Sequence, residues 1–161
     1  MVIALMFSAR LAALSVIVAT TACGHHYLPG TRIEETQDNH AIYDIIEDVR
    51  TGMELRDTNK ILAHVSPQYF EDMGTPDQAD DYGYAELKQK MTDTFASTTE
   101  MHVVLEIHAI SIDGKHALAD VRYASRARIE LPSGGLWDAH REFNRFDFAR
   151  EDNEWKIISG L

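Results

Sequence analysis

Three groups of residues carry side chains with ligand or acid–base chemistry. His102, Glu106 and His108 alternate along one stretch, and on a strand they would share a face, two imidazoles and a carboxylate being a donor set that suits zinc. Alternate strand positions lie about 7 Å apart, too far for a compact site without help from neighbouring strands. A polar sheet face is the better account, and Arg122, Arg126 and Arg128 on the next stretch would pair with it across strands. Asp77, Asp80 and Asp81 sit in a Gly/Pro-containing loop but lack the alternating spacing and trailing glutamate of a calcium loop. They read as solvated turn acids. His25 and His26 have no third ligand nearby, so no metal and no cofactor is expected. A Gly-rich phosphate loop, a nucleophile elbow and a Cys/His pair are all missing from the sequence.

A second class of chemistry is apolar. Trp137, Phe143, Phe146, Phe148 and Trp155 could line a pocket for an apolar small molecule, although aromatic residues on strands more often form core. Trp137 and Phe146, joined by Tyr69, are the candidate ligand-lining side chains. The Trp137–Phe148 stretch has aromatic and polar residues on both faces, which predicts a strand covered on both sides and a homodimer formed through the sheet.

These residues must be positioned by regular elements. Ile42, Ile45, Ile46, Val49 and Met53 recur at helical spacing, predicting an amphipathic helix from Asn39 to Arg56. Asp57 then caps a shorter helix carrying Ile61, Leu62 and Val65, stopped by Ser66-Pro67. Tyr69-Phe70-Glu71 reads as a brief strand, Asp72 to Gly83 as a loop, and a third helix follows from Tyr84 with Leu87, Met91 and Phe95 inward. Four long strands complete the chain. Met101, Val103, Leu105 and Ile107 alternate with polar neighbours, and Asp113-Gly114 is a hairpin signal. The next strands run from Lys115 to Leu131, Trp137 to Phe148 and Trp155 to Ser159. Three N-terminal helices packed on a curved antiparallel sheet make an α+β domain.

The chain has 161 residues, 45% hydrophobic and 25% charged, which fits one globular domain. With 15 Lys+Arg against 26 Asp+Glu its net charge is −11. Such a field opposes phosphate backbones, so nucleic acid is not an expected partner.

Leu11 to Thr21 is an apolar and small-residue run of 11 that follows Arg10 and precedes Ala22-Cys23. This is the layout of a secretory signal, too short for a membrane span. At Ala22-Cys23 the sequence resembles a bacterial lipoprotein signal, although Thr20 stands where that family usually has Leu. The resemblance implies that residues 1–22 are removed and that Cys23, the only cysteine, carries two or three acyl chains, enough for stable anchoring. The expected place is the extracytoplasmic side of a bacterial envelope, and Gly24 instead of Asp after the cysteine points to the outer membrane. Residues 23–38, with Gly24 to Asp38 lacking any period, are expected to form the lipidated cysteine and a tether. Residues 39–161 form the domain.

The helix corner Arg56-Asp57-Thr58, the Val65-Ser66-Pro67 stop leading into Tyr69-Phe70-Glu71-Asp72, the third helix and the closing Glu154-Trp155-Lys156-Ile157 resemble the nuclear transport factor 2-like superfamily. That is the cone fold shared with ketosteroid isomerases and polyketide cyclase-type proteins. The resemblance covers residues 39–161 and implies a pocket between the helices and the concave sheet face. By position it makes Asp72 the counterpart of the isomerases' general base. Their oxyanion hole is not reproduced: the tyrosine position falls near Val49, and the acid position falls near Asn144, which can donate a hydrogen bond but is not an acid. Lacking that hole, a base forfeits several kcal/mol of transition-state stabilisation. The expectation is therefore a non-catalytic small-ligand or protein-binding domain on an envelope lipoprotein. The alternative is an isomerase, dehydratase or cyclase acting on an apolar small molecule through Asp72.

Overall fold

The computed structural model describes residues 26–72 and 79–161. The proposed signal segment, Cys23 and Asp77 lie outside the described residues. Helix α1 spans Gln37–Leu55, α2 Thr58–Leu62 and α3 Tyr84–Ser97. Short strands β1 (Phe70–Glu71) and β2 (Tyr82–Gly83) pair with each other. The main sheet is an antiparallel meander of β3 (Thr98–Asp113), β4 (His116–Leu131), β5 (Gly134–Glu151) and β6 (Glu154–Ser159), in that order. No helix among the described residues is long and apolar enough to cross a membrane.

Local chemistry explains the boundaries. Thr36 caps α1 by accepting the Asn39 N–H through its hydroxyl, and Arg56 ends the helix in the left-handed region at φ 56°. The next residue, Asp57, starts α2 by accepting the Lys60 N–H at 3.1 Å. The two helices can cross closely because Gly52 faces Ile61: a Cβ there would meet Ile61 Cγ1 at 2.6 Å. After α2 the chain runs beside β6, with Val65 bridged in parallel to Ile157 and Ser66 donating through its N–H to the Ile157 carbonyl. Gly114, at φ 59°, makes the turn between β3 and β4.

The core joins the inward row of α1 (Ile42, Ile45, Ile46, Val49) and Ile61, Leu62 and Leu87 to one face of the sheet. That face is made by Val103 and Leu105 on β3, Ala117, Ala119 and Val121 on β4, Phe146 and Phe148 on β5, and Trp155 and Ile157 on β6. Phe146 and Phe148 meet edge to face at 6.3 Å between centroids. Helix α1 lies along β3, where Glu54 accepts the Val103 N–H at 3.1 Å while holding Arg50 at 2.8 Å. Its first turn is fastened to the β5–β6 turn: Asp38 accepts from Arg150 and from Trp155 Nε1, and the Arg150 guanidinium lies 4.4 Å over the Trp155 ring.

Two departures from expectation concern the ends of elements. Residues 26–36, expected as tether, form a folded turn in which Tyr27 bridges Glu34, the Leu28 N–H donates to Ile33 at 2.9 Å, and Leu28 is 1% exposed. The physical reason is a single leucine that finds a dry site, together with turn hydrogen bonds that satisfy the backbone around it. Strand β5 is longer than expected, and residues 134–143 are exposed throughout. Both faces of this stretch are open among the described residues of one chain, and β6 flanks its edge only at residues 147–151.

Candidate functional site

The register of the sheet defines a site. Facing the helices, successive rows read Ile107–Val121–Asn144, Leu105–Tyr123–Glu142, Val103–Ser125–His140 and Met101–Ala127–Asp138 from β3 through β4 to β5. Each row passes from apolar to polar. The cause is cover: α1 lies over β3, whereas among the described residues no strand pairs with the far edge of this part of β5 and its side chains are exposed. On β5 the face changes abruptly, from Asp138, His140, Glu142 and Asn144 to the buried Phe146 and Phe148.

Within this patch His140 Nε2 lies 3.1 Å from Glu142 Oε2, and the imidazole lies 6.3 Å from the Tyr123 ring. Burial pushes the Tyr123 phenol above its ordinary value, opposed by its hydrogen bond with Ser125 and assisted by the nearby Glu142 carboxylate. The phenol is therefore a neutral donor at physiological pH. The carboxylate thus stands within reach of the imidazole and can fix which way the ring faces. His140 and Glu142 have side chains 57% and 50% exposed, so the pair is wet. It suits ligand recognition better than abstraction of a carbon-bound proton, which needs a dry base.

The residues singled out from sequence do not form one site. Asp72 is exposed. Its neighbour Glu71 turns inward instead, accepting from Gly160 N at 2.7 Å, Tyr69 OH at 3.1 Å and Ser159 Oγ at 3.2 Å. Tyr69 is 2% exposed, and its hydroxyl and that of Tyr82 both reach the Leu161 carbonyl, at 3.0 and 2.7 Å. Burial raises both phenols above their usual range. This cluster fastens the last residues to β1 and leaves Tyr69 no open side. Asn144 faces the helices, but its amide donates to the Gly160 carbonyl at 2.8 Å and its oxygen accepts from Arg145 N. Phe146 is core, 2% exposed. Trp137 lies on the opposite, outer face of the sheet, with Arg126 stacked 4.3 Å from its ring centre.

That outer face carries His102, Glu106 and His108. Glu106 pairs with Arg122 at 2.6 Å, and His108 packs 5.8 Å from Phe143 at a bulge between Ile107 and Ala109. Among the described residues no group of His, Cys, Asp and Glu is arranged to hold a metal. Val104, Leu118, Trp137 and Phe143 are also exposed there, Phe143 by 78%. A cleft of about 730 Å³ lies elsewhere, between the start of α1 and the β5–β6 turn. Its charged lining includes the Asp38–Arg150 pair, which fastens α1 to the β5–β6 turn, and the Glu154–Lys156 pair within β6.

Tyr123 and Ser125 were not legible as site residues. The signal that could have found them is the even-numbered polar row on β5 ending abruptly at two phenylalanines, which marks where cover stops.

No protein-family profile and no curated protein sequence matches this chain. Solved structures do. A conserved protein from Planctomyces limnophilus superposes with a TM-score of 0.66 at 14% identity, covering 76% of this chain and 92% of that one. A Streptomyces avermitilis protein assigned to the nuclear transport factor 2-like family, and named for a proposed dehydratase activity, gives 0.61 at 19% identity over 76% and 93%. A protein of Novosphingobium aromaticivorans named for a proposed scytalone dehydratase activity gives 0.60 at 9% identity over 76% and 80%. With this meander and these helices, the chain has the nuclear transport factor 2-like fold.

Proposed function

We propose that this domain binds a small amphiphilic molecule at the uncovered helix-facing half of β4 and β5, and that a lipidated Cys23 carries it on a bacterial envelope. The observation supporting the first part is the rows ending in Tyr123–Glu142 and Ser125–His140: apolar groups on one side, hydrogen-bonding groups on the other, open to solvent. A ligand with an apolar body and a polar end matches that gradient. The second part rests on the Ala22-Cys23 sequence. A wet histidine–carboxylate pair and an exposed Asp72 favour binding over the alternative isomerase, dehydratase or cyclase chemistry. We further propose that two copies associate through the outer face, where Val104, Trp137 and Phe143 are exposed. The mass of the detergent-solubilised protein in solution reports that association.

The test is native mass spectrometry of the purified full chain for a retained molecule, followed by titration of that molecule into variants. His140→Ala and Tyr123→Phe should weaken binding about tenfold or more, the loss of one good hydrogen bond, while Asp72→Asn should leave it unchanged. Turnover of the molecule that disappears in Asp72→Asn, with His140→Ala unaffected, would overturn the reading in favour of the enzyme.

A further inference from the structure

The folded turn at residues 26–36 changes what a lipid on Cys23 would do. His26 is pinned, its carbonyl accepting the Glu35 N–H at 2.7 Å, and Leu28 is locked in a buried site. The chain between Cys23 and His26 is three residue steps, a reach of at most about 11 Å. A tether through Asp38 would reach several times further.

What surrounds His26 is one end of the domain. Glu35 lies just before the first turn of α1, where Asp38 holds Arg150 and Trp155. Arg150 in turn donates through its backbone N–H to the Lys115 carbonyl at 2.8 Å. The start of α1, the β3–β4 turn and the β5–β6 turn are therefore gathered beside the attachment point. The β4–β5 turn stands at the other end of the sheet, 18 residues of β5 away, up to about 60 Å along the strand. His140 and Glu142 lie between, roughly 30 Å from the attached end at 3.3 Å per residue.

We infer that the domain stands on the bilayer by this end, with the β3–β4 and β5–β6 turns next to the lipid and the Tyr123–His140 patch held out in the aqueous space. The inference rests on lipidation of Cys23 and adds to it a fixed orientation set by the short attachment. The bound molecule would then be taken from the aqueous side and not from the acyl layer.

The experiment uses the full acylated chain in phosphatidylethanolamine–phosphatidylglycerol vesicles bearing a headgroup energy-transfer acceptor. A donor dye is placed on Lys115→Cys or on Ser133→Cys, Cys23 being the only native thiol and consumed by acylation. The mass of the N-terminal peptide is measured on the same samples. Acylated protein should show several-fold stronger transfer from position 115 than from 133. A flexible Gly/Ser insertion between His25 and His26 should shrink that contrast. Acylated protein with equal transfer from both positions overturns the orientation alone, as does a contrast unaltered by the insertion. An N-terminal peptide without acyl mass overturns the anchoring and the orientation together.

Discussion

Leu28→Ala truncates a side chain that is 1% exposed in a segment whose composition reads as linker. Three carbons leave a dry site, at about 0.8 kcal/mol each, so the transfer loss alone is about 2.4 kcal/mol. Leucine-to-alanine changes in rigid cores reach about 5 kcal/mol when the cavity persists. A turn held by a few backbone hydrogen bonds can close in, which places the expected cost at about 2–3 kcal/mol. With a urea slope of about 1–3 kcal/mol per molar, the midpoint should fall by about 1 M or more. Tyr27→Ala, at a position 54% exposed next door, is the control and should stay within about 0.5 kcal/mol. Amide exchange gives a second readout: the Leu28 N–H, bonded to Ile33, and the Thr31 N–H, bonded to Leu28, should lose protection in the Leu28 variant. A midpoint for Leu28→Ala within error of the Tyr27 control would refute the reasoning and return residues 26–36 to a solvated linker.

Two further outcomes follow from the described contacts. The Lys60 ammonium, with smaller help from His64, holds Asp48 below the usual carboxylate range, at 2.5 and 3.0 Å respectively. A depressed acid contributes stability that is present above the unfolded value of 3.8 and is lost as pH falls through the lower folded value. Asp48→Asn should therefore cost stability near pH 7 and nothing in strong acid; because Asp48 is 43% exposed, the difference should be no more than about 1 kcal/mol in urea titrations at the two pH values. Gly160 sits at φ 99°, where a Cβ would come within 2.1 Å of the Arg145 carbonyl oxygen. Gly160→Ala should destabilise by more than about 1 kcal/mol in thermal unfolding and loosen the Glu71 and Asn144 hydrogen bonds to that residue.

The helices and the meander were readable because each rests on local patterning. Ile42, Ile45, Ile46 and Val49 repeat with the helix, Asp57 is placed to cap, and Asp113-Gly114 permits one kind of turn. What was not readable depends on which neighbour covers which strand. Phe146 and Trp137 looked alike in the sequence, yet one lies under the helices beside Phe148 and the other on the outer face against Arg126. Asp72 and Glu71 are consecutive residues at the end of β1, yet the first is exposed and the second is drawn into hydrogen bonds with the last residues. Leu28 was lost among glycine, proline and polar residues because a single buried side chain has no period. The Tyr123–His140 patch exists through cross-strand register, set by the turns on either side of β4.

Because β6 pairs with only the last residues of β5, the stretch 134–144 keeps one row of backbone N–H and C=O groups with no strand beside it among the described residues. Such a row can template the addition of a foreign strand and so seed self-association into fibres. Here the row is flanked by charged side chains on both faces, Asp138 and Glu142 on one and Arg141 and Arg145 on the other. Like charges brought into register by an incoming copy repel. The polar groups proposed to hold the ligand thus double as gatekeepers, and replacing several of them together with alanine trades solubility as well as affinity.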